Sequence, residues 1–150
     1  MNRRTMLFSV CATVSPMLSS TGRAASLPPV AVYRNPGCSC CEAWVKRLVS
    51  SGFDVSIADD PNLDSRRASL NIPASLASCH IALADGYAFE GHVPPVDIIK
   101  FLGERPPGAI GLGVPGMPMG SPGMGPEGSG GPYEVLLITA NAAPTLYARH

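Results

Sequence analysis

Apolar residues recur along this chain with two different periods, and the places where the period changes divide it into elements. From 29 to 35, "PVAVYRN", Val30 and Val32 alternate with smaller or polar neighbours, which predicts a strand. The stretch "EAWVKRLVSS" instead sets Trp44, Val45, Leu48 and Val49 on one helical stripe, closed by Gly52. "FDVSIADD" returns to alternation, with Phe53, Val55 and Ile57 on one face and Asp54 and Ser56 on the other. "PNLDSRRASLNIP" predicts a short helix or helical turn that ends before Pro73. "SCHIALADGYAFEGHV" predicts two short strands around an Asp85-Gly86 turn. "PPVDIIKFLGE" predicts a helix with prolines in its first turn, Val96, Ile99 and Leu102 at helical spacing, and an end at Gly103. Residues 106–132 break both periods, and "YEVLLITANAAPTLYAR" then predicts strand, turn and strand.

The order is therefore β, cysteine-rich turn, α, β, α, β-turn-β, α, with a further β hairpin at the end. This is an α/β chain whose first seven elements match a thioredoxin-like arrangement. The expectation is a mixed sheet with flanking helices, a long Gly/Pro/Met loop and an added C-terminal hairpin. A length of 150 residues suits one domain with its own core. In such an arrangement the helix after the first strand turns its N-terminus, with unpaired amides and the positive end of its dipole, toward the reactive edge.

The first 25 residues stand apart. "MNRR" is basic, "TMLFSVCATVSPMLSS" is apolar and small, and "TGRAAS" offers small residues for cleavage near Ala24 or Ala25. This predicts an export signal over 1–25 and one mature domain over 26–150. Arg3-Arg4 ahead of the apolar run partly match a twin-arginine signal, so export to the periplasm, or otherwise out of the cytoplasm, is expected by the Sec or the twin-arginine route. Cys11 sits in a poor lipoprotein box and leaves with the signal. Cleavage removes three arginines and no acids, leaving 8 Lys+Arg against 11 Asp+Glu and a net charge near −3. Nothing in that balance holds a polyanion, which argues against a nucleic-acid partner. After Ala25 no run is long and apolar enough to form a membrane span.

Charge excludes partners, whereas the cysteines propose chemistry. Cys38, Cys40, Cys41 and Cys79 remain in an oxidising compartment, where thiols form disulfides, cycle as redox centres or are held by a metal. Cys38 and Cys41 have the C-x-x-C spacing of a redox dithiol at a helix N-terminus, a setting that favours thiolate. A bridge between the neighbours Cys40 and Cys41 would force a strained ring. In thioredoxin-like folds the segment before the hairpin's first strand faces the C-x-x-C and usually carries a cis-proline. Here "ASCHIAL" stands there, with Pro73 five residues too early, so Cys79 and His80 are expected beside the other three cysteines. Loss of the proline turns a redox site toward a metal site.

Residues 106–132 are Gly or Pro at 17 of 27 positions, a composition expected of a flexible loop rather than a helix or central strand. All three methionines of the mature chain, Met117, Met119 and Met124, lie in it. Methionine is normally core filler. Its confinement to this loop points to thioether ligands, which prefer Cu(I). Zinc sites of four thiolates usually use two separated pairs, and no second C-x-x-C exists. Iron–sulfur motifs space their ligands more widely than 38, 40 and 41 do. Cys, His and Met together, in an oxidising compartment, favour Cu(I), so the expected cofactor is copper, as Cu(I) or Cu(II).

Taken in order, "NPGCSCCEAW", "SCHIALADGYAFEGHVP", "GVPGMPMGSPGM" and "YEVLLI" resemble the CopG-type copper-resistance proteins, from about Val30 to Arg149. The resemblance implies a periplasmic thioredoxin-like domain that binds copper through its cysteines and couples thiol and copper redox states in copper detoxification. It assigns Cys38, Cys40, Cys41 and Cys79 to the family's cysteines, Met117 and Met124 to its Met motif, and His80 and His92 to its histidine segments. The Met motif continues here as "GMGPEGSGG", richer in glycine than the family pattern.

The combined expectation is a copper site in which Cys38 and Cys41 are both catalytic dithiol and ligands. Cys40 and Cys79 complete the thiolates, and His80, His92, Met117, Met119 and Met124 are further donors, enough for a polynuclear cluster. His92 can equally be a solvated loop histidine. The partners are copper ions and other periplasmic copper-handling proteins or efflux components. Two alternatives stand beside a copper/thiol oxidoreductase: a metal-free thiol–disulfide oxidoreductase, and a copper chaperone or sponge without redox turnover.

Overall fold

The computed structural model describes residues 26–150; the predicted signal, with Arg3, Arg4 and Cys11, lies outside the described residues. Strand β1 (Val30–Arg34) runs parallel to β2 (Val55–Asp59), joined to it by helix α1 (Ser39–Ser50). Helix α2 (Leu63–Ser69) and a 3-10 turn at Ala74–Leu76 lead to the hairpin of β3 (His80–Ala84) and β4 (Tyr87–Glu90). Asp85 and Gly86 both take positive φ in its two-residue turn, as the sequence pair predicts. Helix α3 (Pro95–Glu104) follows, then β5 (Ala109–Gly113), β6 (Glu134–Thr139) and β7 (Thr145–Arg149). All seven strands form one mixed sheet in the order β2-β1-β3-β4-β5-β6-β7. Its first four strands and three helices have the thioredoxin-like order.

Alternation along the interior strands sends side chains to two covered faces. On one, Val30, Val32, Ala82, Ala84, Phe89, Leu112 and Val135 pack with Trp44 and Leu48 of α1 and with Ile98, Phe101 and Leu102 of α3. On the other, Ile81, Ala88 and Ile138 pack with Leu63 of α2, Ile72 and Leu76. The same alternation places His80 under α1, in register with Ala82, and turns Glu90 toward α2, in register with Ala88.

Four sequence expectations are corrected. Helix α1 starts at Ser39, with Cys38 as its N-cap, so Cys40 and Cys41 lie inside its first turn rather than before it. The Gly/Pro segment at 106–132 is not one loop, because β5 within it is an interior strand paired to β4 and β6. Glycine serves close approach there: a Cβ on Gly111 would lie 1.6 Å from the Ala88 carbonyl oxygen. Helix α3 turns Ile98, Phe101 and Leu102 inward, whereas Val96 and Ile99 are 63% and 38% exposed, because Phe89 and Tyr147 receive the Phe101 side. Finally, Phe53 is buried but Ile57 is exposed, since β2 is an edge strand of the sheet.

Candidate metal centre

The ladder between β1 and β3 extends one step beyond the strands, where Asn35 N–H donates to the Cys79 carbonyl at 3.0 Å. That bond sets Cys79 beside the start of α1. Cys38 caps the helix by accepting the Cys41 N–H on its sulfur at 3.3 Å, and Cys38 and Cys41 are joined as a disulfide. The Cys40 sulfur lies 3.3 Å from that of Cys38 and 3.8 Å from that of Cys79. Cys41, fully buried, holds its sulfur 3.5 Å from the Cys79 carbonyl oxygen. Arg34 fixes the approach to the helix, donating to the Cys38 carbonyl at 3.2 Å while paired with Glu42 and Asp59.

Cys79 also faces away from the other cysteines. Its sulfur is 3.4 Å from His80 Nδ1 and 3.3 Å from His92 Nε2. The His92 Nδ1–H donates to the Pro122 carbonyl at 2.8 Å, which leaves the Nε2 lone pair aimed at the sulfur. Gly123 allows the Pro122 loop to come this close. It takes φ +86°, and a Cβ on it would lie 2.7 Å from the Trp44 amide nitrogen and 2.9 Å from the Cys40 carbonyl. Trp44 rests its ring 4.3 Å from the His80 ring and donates its indole N–H to the Val93 carbonyl at 2.9 Å. His80 Nε2 is buried without a hydrogen-bond partner.

Both histidines are fully buried. Burial, and then the neighbouring His92, push His80 down to about 3, and burial pushes His92 down as well. Burial, and then Cys40 beside it, push the Cys79 thiol up to about 12. Without a metal the imidazoles are thus neutral, the form that ligates.

Two donor sets share one atom. Cys38, Cys40, Cys41 and Cys79 form one, and Cys79, His80 and His92 the other, with the donor atoms of each set within 4.8 Å of one another. The residues fit a soft metal on three counts. The donors are sulfur and neutral imidazole. The His92 ring is oriented by a carbonyl on its far nitrogen, as ligating histidines commonly are. The partnerless His80 nitrogen leaves a buried polar atom unsatisfied.

The predicted donors are therefore distributed unevenly. Four cysteines, His80 and His92 come together, and His92 is a buried residue rather than a solvated one. Met117, half exposed, lines with Asn35, Ser78 and Cys79 a cleft of about 470 Å³. Met119 lines a separate cavity of about 760 Å³ with Arg47, Tyr133 and His150, which no cysteine reaches. Met124 is partly buried in the turn after Gly123. The expected cis-proline is replaced as the sequence indicates, and no cis peptide occurs among the described residues. Sequence reasoning missed the Pro122 carbonyl, the Trp44 ring, and the buried pair of Arg67 and Glu90 behind Ser78. A hydrogen bond to a loop carbonyl and an ion pair 23 residues apart leave no local pattern to find.

A family model described as a protein of unknown function, DUF411, matches residues 76–124. No curated protein matches the chain. Two solved structures are similar over 83% of this chain and 98% of theirs, each at 34% identity. They are "Copper resistance protein copG- Form 1", with a TM-score of 0.77, and "Copper resistance protein copG- Form 2", with 0.76. Among the described residues no helix is long and apolar enough to cross a membrane.

Proposed function

We propose, from the fact that this chain belongs to the CopG family of copper resistance proteins, that it is an exported protein that binds Cu(I) and couples thiol redox to that binding. Cys38, Cys40, Cys41 and Cys79 are the thiolate donors, and His80 and His92 the imidazole donors. The observation that carries the reading is the place of Cys79, whose sulfur belongs to both donor sets at once. Five further donors around one shared sulfur exceed what a single Cu(I) needs, which supports more than one copper per chain.

The chain's own chemistry lies in the Cys38–Cys41 bond. Opening it takes two electrons and two protons and yields two thiols, which then join Cys40 and Cys79 as sulfur donors. Closing it withdraws both from the set and leaves Cys79, His80 and His92 as they stand. Bound copper would supply a one-electron couple next to this two-electron dithiol. Burial of His80, His92 and Cys41 keeps water from that side of the site. Other periplasmic copper-handling proteins or efflux components are the partners such a site would serve.

The test is a titration of mature protein, reduced and kept anaerobic, with Cu(I) against a competing chelator, with free thiols counted before and after mild oxidation. The reading expects more than one tightly bound copper, loss of that binding in Cys79→Ser, and thiols that disappear in pairs. Failure to compete for Cu(I), with a readily formed Cys38–Cys41 disulfide, would overturn it. That outcome would leave a metal-free thiol–disulfide oxidoreductase, the reading favoured by the disulfide at the start of α1.

A further inference from the structure

Behind Cys79, on the face of the sheet away from α1, two charged side chains are buried together. Arg67 of α2 is 3% exposed and Glu90 at the end of β4 is 0% exposed. The guanidinium donates to both carboxylate oxygens, at 3.1 Å from Nε and 2.9 Å from Nη2. Neither group stops there. Glu90 Oε1 also accepts the Ser78 N–H at 2.7 Å, and Arg67 Nη2 also donates to the Ser78 carbonyl at 3.2 Å. One ion pair thus holds both backbone polar groups of the residue that precedes Cys79.

We propose that Arg67 and Glu90 are positioning residues that set the Cys79 sulfur between its two donor sets, in the place where related folds use a cis-proline. Ser78 lies outside β3, which begins at His80, so the strand ladder does not fix it. The Cys79 sulfur must nevertheless stand 3.3 to 3.8 Å from donors on three different segments. The ladder reaches only the Cys79 carbonyl, through Asn35 N–H, and the clamp on Ser78 supplies the rest of that constraint. Its neighbours are shaped around it: the Ser78 hydroxyl donates to the Gly116 carbonyl at 2.7 Å, and a Cβ on Gly91 would meet the Ser78 side chain at 2.8 Å. Stability alone is a poor account of the pair, because removing two charges from water offsets most of their attraction. An apolar pair would fill the same space, but could neither accept from nor donate to the Ser78 backbone.

The proposal rests on the copper reading for its consequence, so the test has one arm that needs no metal. In mature protein carrying Cys40→Ser, with the Cys38–Cys41 disulfide formed, Cys79 is the sole free thiol, and its alkylation rate by iodoacetamide is measured without metal. The Arg67→Met/Glu90→Leu double variant should melt close to the parent yet alkylate about tenfold faster. With Cys40 restored and the dithiol reduced, its Cu(I) affinity against a competing chelator should fall about 10–100-fold, the usual effect of losing a partner behind a ligand. Glu90→Gln keeps an acceptor for Ser78 N–H and should return the alkylation rate to within about threefold of the parent. A folded double variant with an unchanged alkylation rate overturns the proposal. If that variant does not fold, Arg67→Lys decides in its place, since lysine keeps the charge but loses the fork that reaches Glu90 and Ser78 together. Faster alkylation in a protein that never binds copper would refute the copper reading and leave the clamp standing.

Discussion

The Cys79 sulfur lies 3.3 Å from Nε2 of His92, and the far nitrogen of that ring is held by the Pro122 carbonyl at 2.8 Å. The residue just before β3 and a residue after the hairpin thus meet at one sulfur, and a loop holds the second of them in place. Because that sulfur belongs to both donor sets, single substitutions should separate by what they leave behind. Cys79→Ser should remove tight Cu(I) binding altogether. Cys40→Ser and His92→Ala each damage one set only, and each should keep some competitive binding at lower stoichiometry. Titration of the three variants against the same chelator checks this ordering, and equal losses in all three would contradict two sets joined at Cys79.

Trp44 is the chain's one tryptophan, and its ring stands 4.3 Å from His80. Its fluorescence should therefore fall as copper is added and level off at the stoichiometry found by chelator competition. Cys79→Ser should flatten that response while the protein stays folded. Trp44→Phe should abolish it and also lower stability by about 1–3 kcal/mol, since the buried Val93 carbonyl loses its indole donor. Thermal melts of the metal-free protein measure the second effect.

Much of this was legible beforehand, and the parts that were not share a physical cause. Val30, Val32, Trp44 and Leu48 announce their elements because burial on one face imposes a local period. Cys79 and His80 could be placed opposite Cys38 because the order of elements fixes which segment faces the helix start. Contacts made by backbone leave no such period. The Pro122 carbonyl on His92 is invisible in composition, as is the clamp on the Ser78 peptide. Gly111 misled for the opposite reason, since glycine that reads as flexibility here serves the close approach of two strands.

That difference between glycines can be measured. Gly111→Ala would push a Cβ into the Ala88 carbonyl, with no flexible side chain to yield, and should cost more than ~3 kcal/mol or prevent folding. Gly108→Ala meets nothing within 4 Å and bears only the strain of its φ of +72°, about 1 kcal/mol. Denaturant melts of the two variants should differ accordingly, and comparable losses would mean that β5 does not pair as described.

The methionines give a sharper division than the sequence allowed. Met117 shares the cleft that reaches Cys79, whereas Met119 lines a cavity without a cysteine. Met117→Leu keeps the volume and removes the thioether, so it should slow Cu(I) uptake or weaken binding several-fold. Met119→Leu should change neither. Stopped-flow uptake followed through Trp44 distinguishes them, and equal effects would show that the loop acts as a whole.

Gly123 joins the loop to the metal centre. Its φ of +86° disfavours any side chain, and a Cβ would press on the Trp44 amide and the Cys40 carbonyl. Alanine there should lower stability by about 1–3 kcal/mol, the usual cost of such strain. The clash would also lift Pro122 away, and with it the carbonyl that holds His92 Nδ1. Free of that bond, the imidazole can present either nitrogen and several orientations, so Cu(I) affinity should fall about 10–100-fold. Gly128→Ala is the control: its φ of +73° carries similar strain, but nothing lies within 4 Å of its Cβ. It should share part of the stability loss and none of the affinity loss. If both variants bound copper like the parent, the loop would be packing on the site without orienting it.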